Sequence, residues 1–291
     1  MKNISVGIDL GGTKVSIGFV SNYEVLNNPE RFFISECRDA DALVSHIKMS
    51  LQKMVKRSGL EWSNISHIGV GSPGPLDYRT GVILETPNLK MVRNYPLGPK
   101  LEEETGVKTF VNNDANCFTL GEQRAGVAKN MDYVLGVTLG TGFGLGFVYN
   151  GKIFNGATGT ALEFALTPYK DGVFEDYISG RGIARIYKNL SGEQVKPIEV
   201  SRLAEKSDIT ALKAWREFGQ HFAQALICLV NVLDPDIIVI GGSVAKGFRF
   251  FRNSLKKYLL NGVHERPRRN IKVELSKLGE LAAIIGASSL S

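Results

Sequence analysis

The chain has 291 residues and a mass of 31.8 kDa, beyond one average domain, so length alone points to two. Hydrophobic residues at 43% and charged residues at 22% exclude a disordered chain and a collagen-like repeat. The net charge of +6 comes from scattered basic residues, densest at Lys256-Lys257 and Arg266-Pro267-Arg268-Arg269, which reads as a solvated surface. Such a surface favours small anions such as nucleotides, and no nucleic-acid partner is expected. No apolar run approaches the roughly 18 residues that a membrane helix needs, so no membrane partner is expected either. Cys37, Cys117 and Cys228 lie far apart and form no CxxC pair, which leaves a disulfide framework and a cysteine-rich zinc site without ligands. The opening Met1–Val6 runs straight into a strand-like pattern without a leader-type apolar stretch, and the expected compartment is the cytoplasm.

Taken in chain order, the first elements are a strand, a glycine turn at Gly11-Gly12-Thr13, a second strand ending Gly18-Phe19-Val20, and a third from Glu30 to Ser35. Asp39 to Ser58 carries apolar residues at Leu43, Val44, Ile47, Leu51, Met54 and Val55, a helical stripe that Gly59 ends. A strand near Ile65–Gly71, a helix ending at Gly106, a strand at Val107–Asn112 and a helix from Asp114 follow. Then the pattern starts again. Gly136-Val137-Thr138-Leu139-Gly140-Thr141 repeats Gly7-Ile8-Asp9-Leu10-Gly11-Gly12-Thr13 with one glycine fewer, and Gly146-Phe147-Val148 repeats Gly18-Phe19-Val20. A helix through Leu212, Trp215, Phe222, Leu226, Leu229 and Leu233 comes next, then a strand Asp236–Gly241 and a helix Ala245–Leu260. The strand Ile271–Leu275 and a helix Leu281–Leu290 complete the second copy. Two copies of βββαβαβα imply an α/β duplication, two domains facing a cleft. The expected bounds are 1–118 with 279–291 for the first domain and 119–278 for the second.

A glycine turn at the same place in each copy suggests two backbone clamps on one phosphate chain, since a side chain there would hold phosphates beyond reach of the N–H groups. A plain tight turn is the alternative for Gly140-Thr141-Gly142-Phe143-Gly144. Two pattern matches fail on physical grounds. Gly69, Gly71 and Gly74 fit GxGxxG, but Pro73 and Pro75 block the helix start that a dinucleotide fingerprint needs. Gly146 to Lys152 fits GxxxxGK, but Ile153 stands where a magnesium-binding hydroxyl is required. A third glycine turn, Gly241-Gly242-Ser243, sits between an apolar strand and a helix, a common nucleotide position.

With these residues in place the chain resembles the ROK family of sugar kinases along essentially its whole length. The landmarks, in the family's order, are Asp9-Leu10-Gly11-Gly12-Thr13-Lys14, Gly71-Ser72-Pro73-Gly74-Pro75, Thr86-Pro87-Asn88-Leu89 and Asn113-Asp114-Ala115-Asn116. Leu139-Gly140-Thr141-Gly142, then Glu175 through Ser179-Gly180-Arg181-Gly182, and Asp234-Pro235 before Gly241-Gly242 follow. The resemblance implies a duplicated actin/hexokinase-like (ribonuclease H-like) ATPase fold whose last helix returns to the first domain.

It also implies roles. Asp114 matches the base that takes the proton of the attacking sugar hydroxyl, and as the first residue of a helix it also reads as an N-cap, two roles that can coexist. Asn88 and Asn113 match sugar-hydroxyl binders, and Gly74 a backbone contact to the sugar. Glu163 and Glu175 match the two glutamates that read the C1–C2 edge, although Glu163 also fits an ordinary surface carboxylate. Asp9, Gly11, Gly12, Thr13 and Lys14 match the phosphate side, with Mg²⁺ accompanying ATP near Asp9. Gly140, Thr141, Gly142, Gly241 and Gly242 match the nucleotide turns. A homodimer is implied as well.

One stretch departs from the family. A Gly-Glu-x-Gly-His run and a cysteine-rich zinc loop are replaced by Leu162-Glu163-Phe164-Ala165-Leu166 and Lys170-Asp171-Gly172-Val173-Phe174. Leu166 stands where the histidine belongs, and none of His46, His67, His221 and His264 is near in sequence, so no structural zinc is expected. The expected activity is transfer of the ATP γ-phosphate to the 6-hydroxyl of glucose or a close relative. An N-acetylhexosamine or β-glucoside kinase is the alternative within the family, and a catalytically silent sugar sensor the alternative outside enzymes. A repressor would need a helix-turn-helix before the first strand, and a filament-forming ATPase would leave Asn88, Asn113, Asp114 and Glu175 unexplained.

Overall fold

A computed structural model describes residues 4–86 and 89–291. By internal contacts the chain forms two compact units, residues 1–132 with 146–161 and 276–291, and residues 133–145 with 162–275.

The first unit is built on β1 (Ile4–Leu10), β2 (Lys14–Ser21), β3 (Glu24–Val25), β4 (Glu30–Phe33), α1 (Ala40–Ser58) and β5 (Ile65–Ser72). A ribbon of β6 (Leu76–Asp77) and β7 (Val82–Ile83) follows, then α2 (Leu97–Thr105), β8 (Thr109–Asn113) and α3 (Asp114–Ala125). The sheet order is β3-β2-β1-β5-β8, with β4 on β2. The hairpin pair β1–β2 is antiparallel, while β1, β5 and β8 run parallel, which puts the carboxyl ends of three strands on one edge. Local chemistry sets the boundaries of α1. Asp39 accepts the Ala42 N–H at 2.8 Å as N-cap, and Gly59 ends the helix at φ 67°. Leu43, Ile47 and Leu51 from its apolar stripe are fully buried with Val6, Ile8 and Val70 of the sheet.

The second unit begins with β9 (Tyr133–Leu139) and the start of β10 (Phe143–Tyr149), whose remainder, with β11 (Lys152–Ile153), counts with the first. The ribbon β12 (Pro168–Tyr169) and β13 (Gly172–Val173) leads to α4 (Gly180–Ser191), α5 (Pro197–Glu205) and α6 (Ile209–Leu233). β14 (Ile237–Gly241), α7 (Phe248–Gly262), α8 (Glu265–Asn270) and β15 (Lys272–Leu275) complete it, and α9 (Leu281–Ala287) belongs to the first unit. The second sheet runs β11-β10-β9-β14-β15, with β9, β14 and β15 parallel, the same order as the first. Its core is aromatic. Trp215, Phe218 and Phe222 of α6 meet Phe251 of α7, with Trp215 and Phe251 stacked at 5.6 Å. Among the described residues no helix is long and apolar enough to cross a membrane.

Several expected elements end elsewhere. The third strand stops at Phe33: the Ile34 N–H bonds the Thr13 carbonyl beside the Lys14–Phe33 pair, and the chain then folds into a 3₁₀ turn, Ile34–Glu36, closed by the Cys37 N–H on the Ile34 carbonyl. The strand expected from Val107 starts at Thr109, and the last helix closes at Ala287. The helix expected from Ala245 is a 3₁₀ turn, Val244–Gly247, before α7 proper. Helices α4, α5 and α8 and both ribbons occupy stretches for which the sequence reading named no element.

The first unit depends on a close crossing of α3 and α9. A Cβ on Gly121 would collide with the Ala282 carbonyl, and one on Gly286 with the Cys117 carbonyl and the Gly121 amide. Backbone therefore lies on backbone there, and no side chain fits. Gly286→Ala is expected to destabilise the protein by about 1–3 kcal/mol, as overpacking does. A thermal melt with an unshifted midpoint would show that the crossing has slack.

Candidate active site

Strand register brings the first-unit residues together. Asp9 pairs with Gly71, Gly71 with Asn112, and Ser72 with Asn113, so Asp9, Gly71 and the Asn113–Asp114 turn share one sheet edge. Gly71 keeps that edge open: a Cβ there would stand 3.1 Å from the Cys117 Cβ and 3.5 Å from the Asp114 Cα. Asn113 caps α3 with its side-chain oxygen, accepting the Ala115 N–H at 2.9 Å. Asp114 also accepts from that N–H, at 2.8 Å. The cap thus falls on Asn113, and Asp114 opens the helix with its carboxylate at the positive end of the dipole.

Asp9 and Asp114 perturb each other. Burial first, and then the charge of Asp114, push the Asp9 carboxyl from 3.8 up to about 7, with Lys14 pulling the other way and Glu280 adding to the rise. Burial also raises the Asp114 carboxyl, while backbone N–H groups of Ala115 and of Asp114 itself draw it back. Beneath them the Cys117 thiol is pushed well above its ordinary range, by burial first and then by both carboxylates. Negative charge is therefore disfavoured at this edge. Lys14 and Arg31 both reach Glu280, at 2.6 Å and 3.4 Å, so the Lys14 ammonium has its partner just before α9. Gly12 and Thr13 are exposed at the turn, and Gly74 is half-buried just beyond β5, ahead of a cis peptide to Pro75. Asn88 lies outside the described residues.

The second unit gathers its glycine turns at one edge in the same way. Gly241 pairs with Thr138, so the turn after β14 meets the turn after β9. Gly242, at φ 89°, lies so close over the Leu139 carbonyl that a Cβ would collide with it. The Gly140 N–H bonds the Gly142 carbonyl at 3.0 Å, and the Gly140 carbonyl accepts the Gly180 N–H at 2.8 Å from the start of α4. Thr141 stays exposed at the tip. Glu175 is anchored here: Oε2 accepts the Phe143 N–H at 3.0 Å, and Oε1 pairs with Arg181 at 2.7 Å. Glu163 is exposed at the head of a 3₁₀ turn, Glu163–Leu166, and Leu166 is 61% exposed.

Three features escaped the sequence reading. Buried Asn112 accepts the Asn113 N–H at 2.8 Å and the Asn116 amide at 3.0 Å, and donates to Asn155 at 3.0 Å, which braces the turn under Asp114. Arg181 stood inside the Ser-Gly-Arg-Gly landmark, and its spacing of six from Glu175 hinted at the ion pair. The histidines need a correction. His221, 52 residues from Tyr169 in sequence, accepts or donates with the Tyr169 hydroxyl at 2.9 Å and so lies against the variant segment. Distance in sequence concealed it, because α6 brings it back beside the β12–β13 ribbon. Among the described residues no group of three His, Cys, Asp or Glu side chains is placed to hold a metal ion.

The raised carboxyls fix the pH response of the protein without ligands. A carboxyl whose folded value lies above its unfolded one favours folding below the unfolded value and loses that advantage as pH rises through the folded one. For Asp9 that window runs from 3.8 to about 7. Asp9→Asn is therefore expected to raise the melting midpoint more at pH 8 than at pH 4. Parallel midpoint curves for the two proteins across that range would contradict the assigned burial.

The ROK family model matches residues 5–291. A glucokinase of Thermotoga maritima is 29% identical over 98% of this chain and 96% of its own length, and an N-acetyl-D-glucosamine kinase of Photobacterium profundum is 31% identical over 98% of each. Among solved structures, a ROK family glucokinase from Streptomyces griseus in complex with glucose and AMPPNP superposes with a TM-score of 0.82 at 26% identity, covering 99% of both chains. A ROK hexokinase from Thermus thermophilus gives 0.83 at 27% identity, over 98% of this chain and 96% of its own. With the duplicated sheets, these likenesses establish the actin/hexokinase-like fold, and the chain belongs to the ROK family.

Proposed function

We propose that the protein is an ATP-dependent hexose kinase that phosphorylates the 6-hydroxyl of glucose or a close relative. The single observation that carries the reading is Asp114, a carboxylate raised by burial and held at the first position of α3 beside a capping Asn113. Phosphoryl transfer asks little covalent work of the protein and much positioning. Asp114 accepts the proton of the sugar hydroxyl as its oxygen bonds to the γ-phosphorus, the bond from that phosphorus to the β-bridging oxygen breaks, and ADP leaves. A raised pKa keeps the carboxylate a better proton acceptor than an exposed one. Asn113, Asn88 and the Gly74 backbone are assigned to the sugar hydroxyls, and Glu163 and Glu175 to its C1–C2 edge.

Asp9 fits the cation that accompanies ATP. Its carboxylate is desolvated and repelled by Asp114, an arrangement that a divalent ion would relieve, and a single carboxylate with retained waters suits Mg²⁺. Bound there, Mg²⁺ would neutralise charge on the phosphates. Gly12 and Thr13, with Thr141, Gly142 and the Gly241–Gly242 turn, are assigned to the nucleotide, while the Gly11 and Gly140 N–H groups brace their turns on the Lys14 and Gly142 carbonyls and Lys14 pairs with Glu280 nearby. Operation in the cytoplasm and assembly as a homodimer belong to the same reading, supported by the family resemblance.

A second substrate reading has its own support. Leu166 replaces the family histidine, cannot hydrogen-bond a sugar, and is mostly exposed. One neutral hydrogen bond contributes about 0.5–1.5 kcal/mol net, so its loss weakens preference for a bare hydroxyl only modestly. An N-acetylated or C1-substituted hexose is therefore a reasonable competitor, and glucose is expected to exceed the best such relative by no more than about tenfold in kcat/KM. A coupled ADP assay across hexoses, N-acetylhexosamines and β-glucosides measures this, and thousandfold rejection of every derivative would refute open discrimination.

The base is tested by Asp114→Asn, which keeps the shape and removes the acceptor. A kcat lower by about 10²–10⁴-fold is expected, with hexose binding retained by calorimetry. Residual turnover above about a tenth of the parent would remove Asp114 from the role.

A further inference from the structure

The segment between Glu163 and Glu175 has no metal ligands of its own and little apolar cover, yet it is held at a defined place. Leu166, Thr167, Pro168, Lys170 and Asp171 are all exposed. Two short turns, Glu163–Leu166 and Phe174–Asp176, flank the β12–β13 ribbon, in which Pro168 pairs with Val173 and Tyr169 with Gly172. Phe164, next to Glu163, stacks with Phe174 at 4.9 Å, and Phe174, next to Glu175, stacks with Tyr169 at 4.3 Å. The stack thus ties together the neighbours of both glutamates.

Its anchor lies outside the segment. The Tyr169 hydroxyl meets Nδ1 of His221 at 2.9 Å, and His221 is buried on α6 with Nε2 facing Glu217 at 3.4 Å. Tyr177 closes the side, its ring 4.7 Å from the imidazole and covered by Arg185 at 4.2 Å. A stack of rings fixes spacing but slides easily in its plane, whereas a buried hydroxyl–imidazole bond is directional. That bond ties the stack to α6, while Asp171 ties the ribbon to Tyr177 and to Arg185 of α4.

We propose that Tyr169 and His221 are positioning residues: their bond registers the Phe164–Phe174–Tyr169 stack on α6 and thereby fixes the turns that present Glu163 and Glu175 to the sugar. The proposal rests on the assignment of those glutamates to the sugar in the preceding section. It gives this chain a side-chain staple in the segment where the family's metal loop is missing.

Tyr169→Phe removes the hydroxyl and keeps the ring. Loss of one bond of this kind should raise KM for the hexose by about 3–10-fold, with kcat and KM for ATP within about twofold of the parent. Backbone amides of residues 163–176 should exchange faster by hydrogen–deuterium exchange. His221→Gln, which retains an acceptor, should stay nearer the parent than His221→Leu, and Tyr169→Phe combined with His221→Leu should be no worse than the weaker single variant. A lower melting midpoint with unmoved hexose KM and unmoved exchange at 163–176 would make the pair mere core filling and overturn the proposal. If Tyr169→Phe does not fold, the two His221 variants read the same bond, and equal hexose KM values for them overturn it. Exchange is measured without substrate, so a parent protein that releases no ADP with any hexose removes the kinase reading, while unchanged exchange removes the staple.

Discussion

Two carboxylates that repel each other at one sheet edge are the constraint on which the first unit turns. Asp9 and Asp114 come from strand ends separated by β5, and both are costly to hold there, Asp9 because burial and the charge of Asp114 disfavour its ionisation and Asp114 because burial does. A fold keeps such a pair only if the backbone around it cannot relax. Gly71 makes the room, the Asn113 cap and the Asn112 amide network hold the turn, and the α3–α9 crossing stops α3 from backing away. The glycines of that crossing are therefore as much part of the site as the carboxylates. Their absence of side chains converts a helix that merely starts with an aspartate into one whose first residue has a fixed position.

How much was legible in the sequence follows from the range of each interaction. Asp39, the apolar stripe of α1 and Gly59 lie within one helix, and cap, stripe and stop all read directly. The repeated glycine hairpins were readable because a turn must write its own geometry locally, and they gave the duplication and the candidate phosphate turns, while the sheet order came only from the structure. Asp114 stood out for the same reason: a strand-to-helix turn with Asn-Asp is a local statement. Tertiary pairings did not stand out. Tyr169 and His221 are 52 residues apart and neither carries a motif, and Asn155 joins Asn112 across 43 residues. The 3₁₀ turn at Ile34–Glu36 was missed because the apolar run continues past Phe33, while the turn is closed by the Cys37 N–H on the Ile34 carbonyl.

The duplication was used asymmetrically, and the register shows how. Asp9 pairs with Gly71 in the first sheet, and at the equivalent place in the second sheet Thr138 pairs with Gly241. The glycine is kept in both copies, so both edges stay open to a ligand. The carboxylate is kept in only one. β8 ends on Asn113 and runs straight into Asp114, whereas beyond β15 the chain continues into Ser276-Lys277.

That division follows from what each half must meet in a phosphoryl transfer. A proton acceptor and a cation partner must be anionic, and an anionic side chain at the same distance from a polyphosphate would repel it. Backbone N–H groups attract phosphate and cannot ionise, so they serve without a pKa to tune. On the proposed reading both copies bring a glycine turn to the phosphates, and only the first adds carboxylates, Asp9 and Asp114, where the second has Thr138 opposite Gly241. On this account the positive end of α3 and the glycine-lined edge of the second sheet are two specialisations of one inherited strand-end geometry, separated by the sign of the charge each must attract.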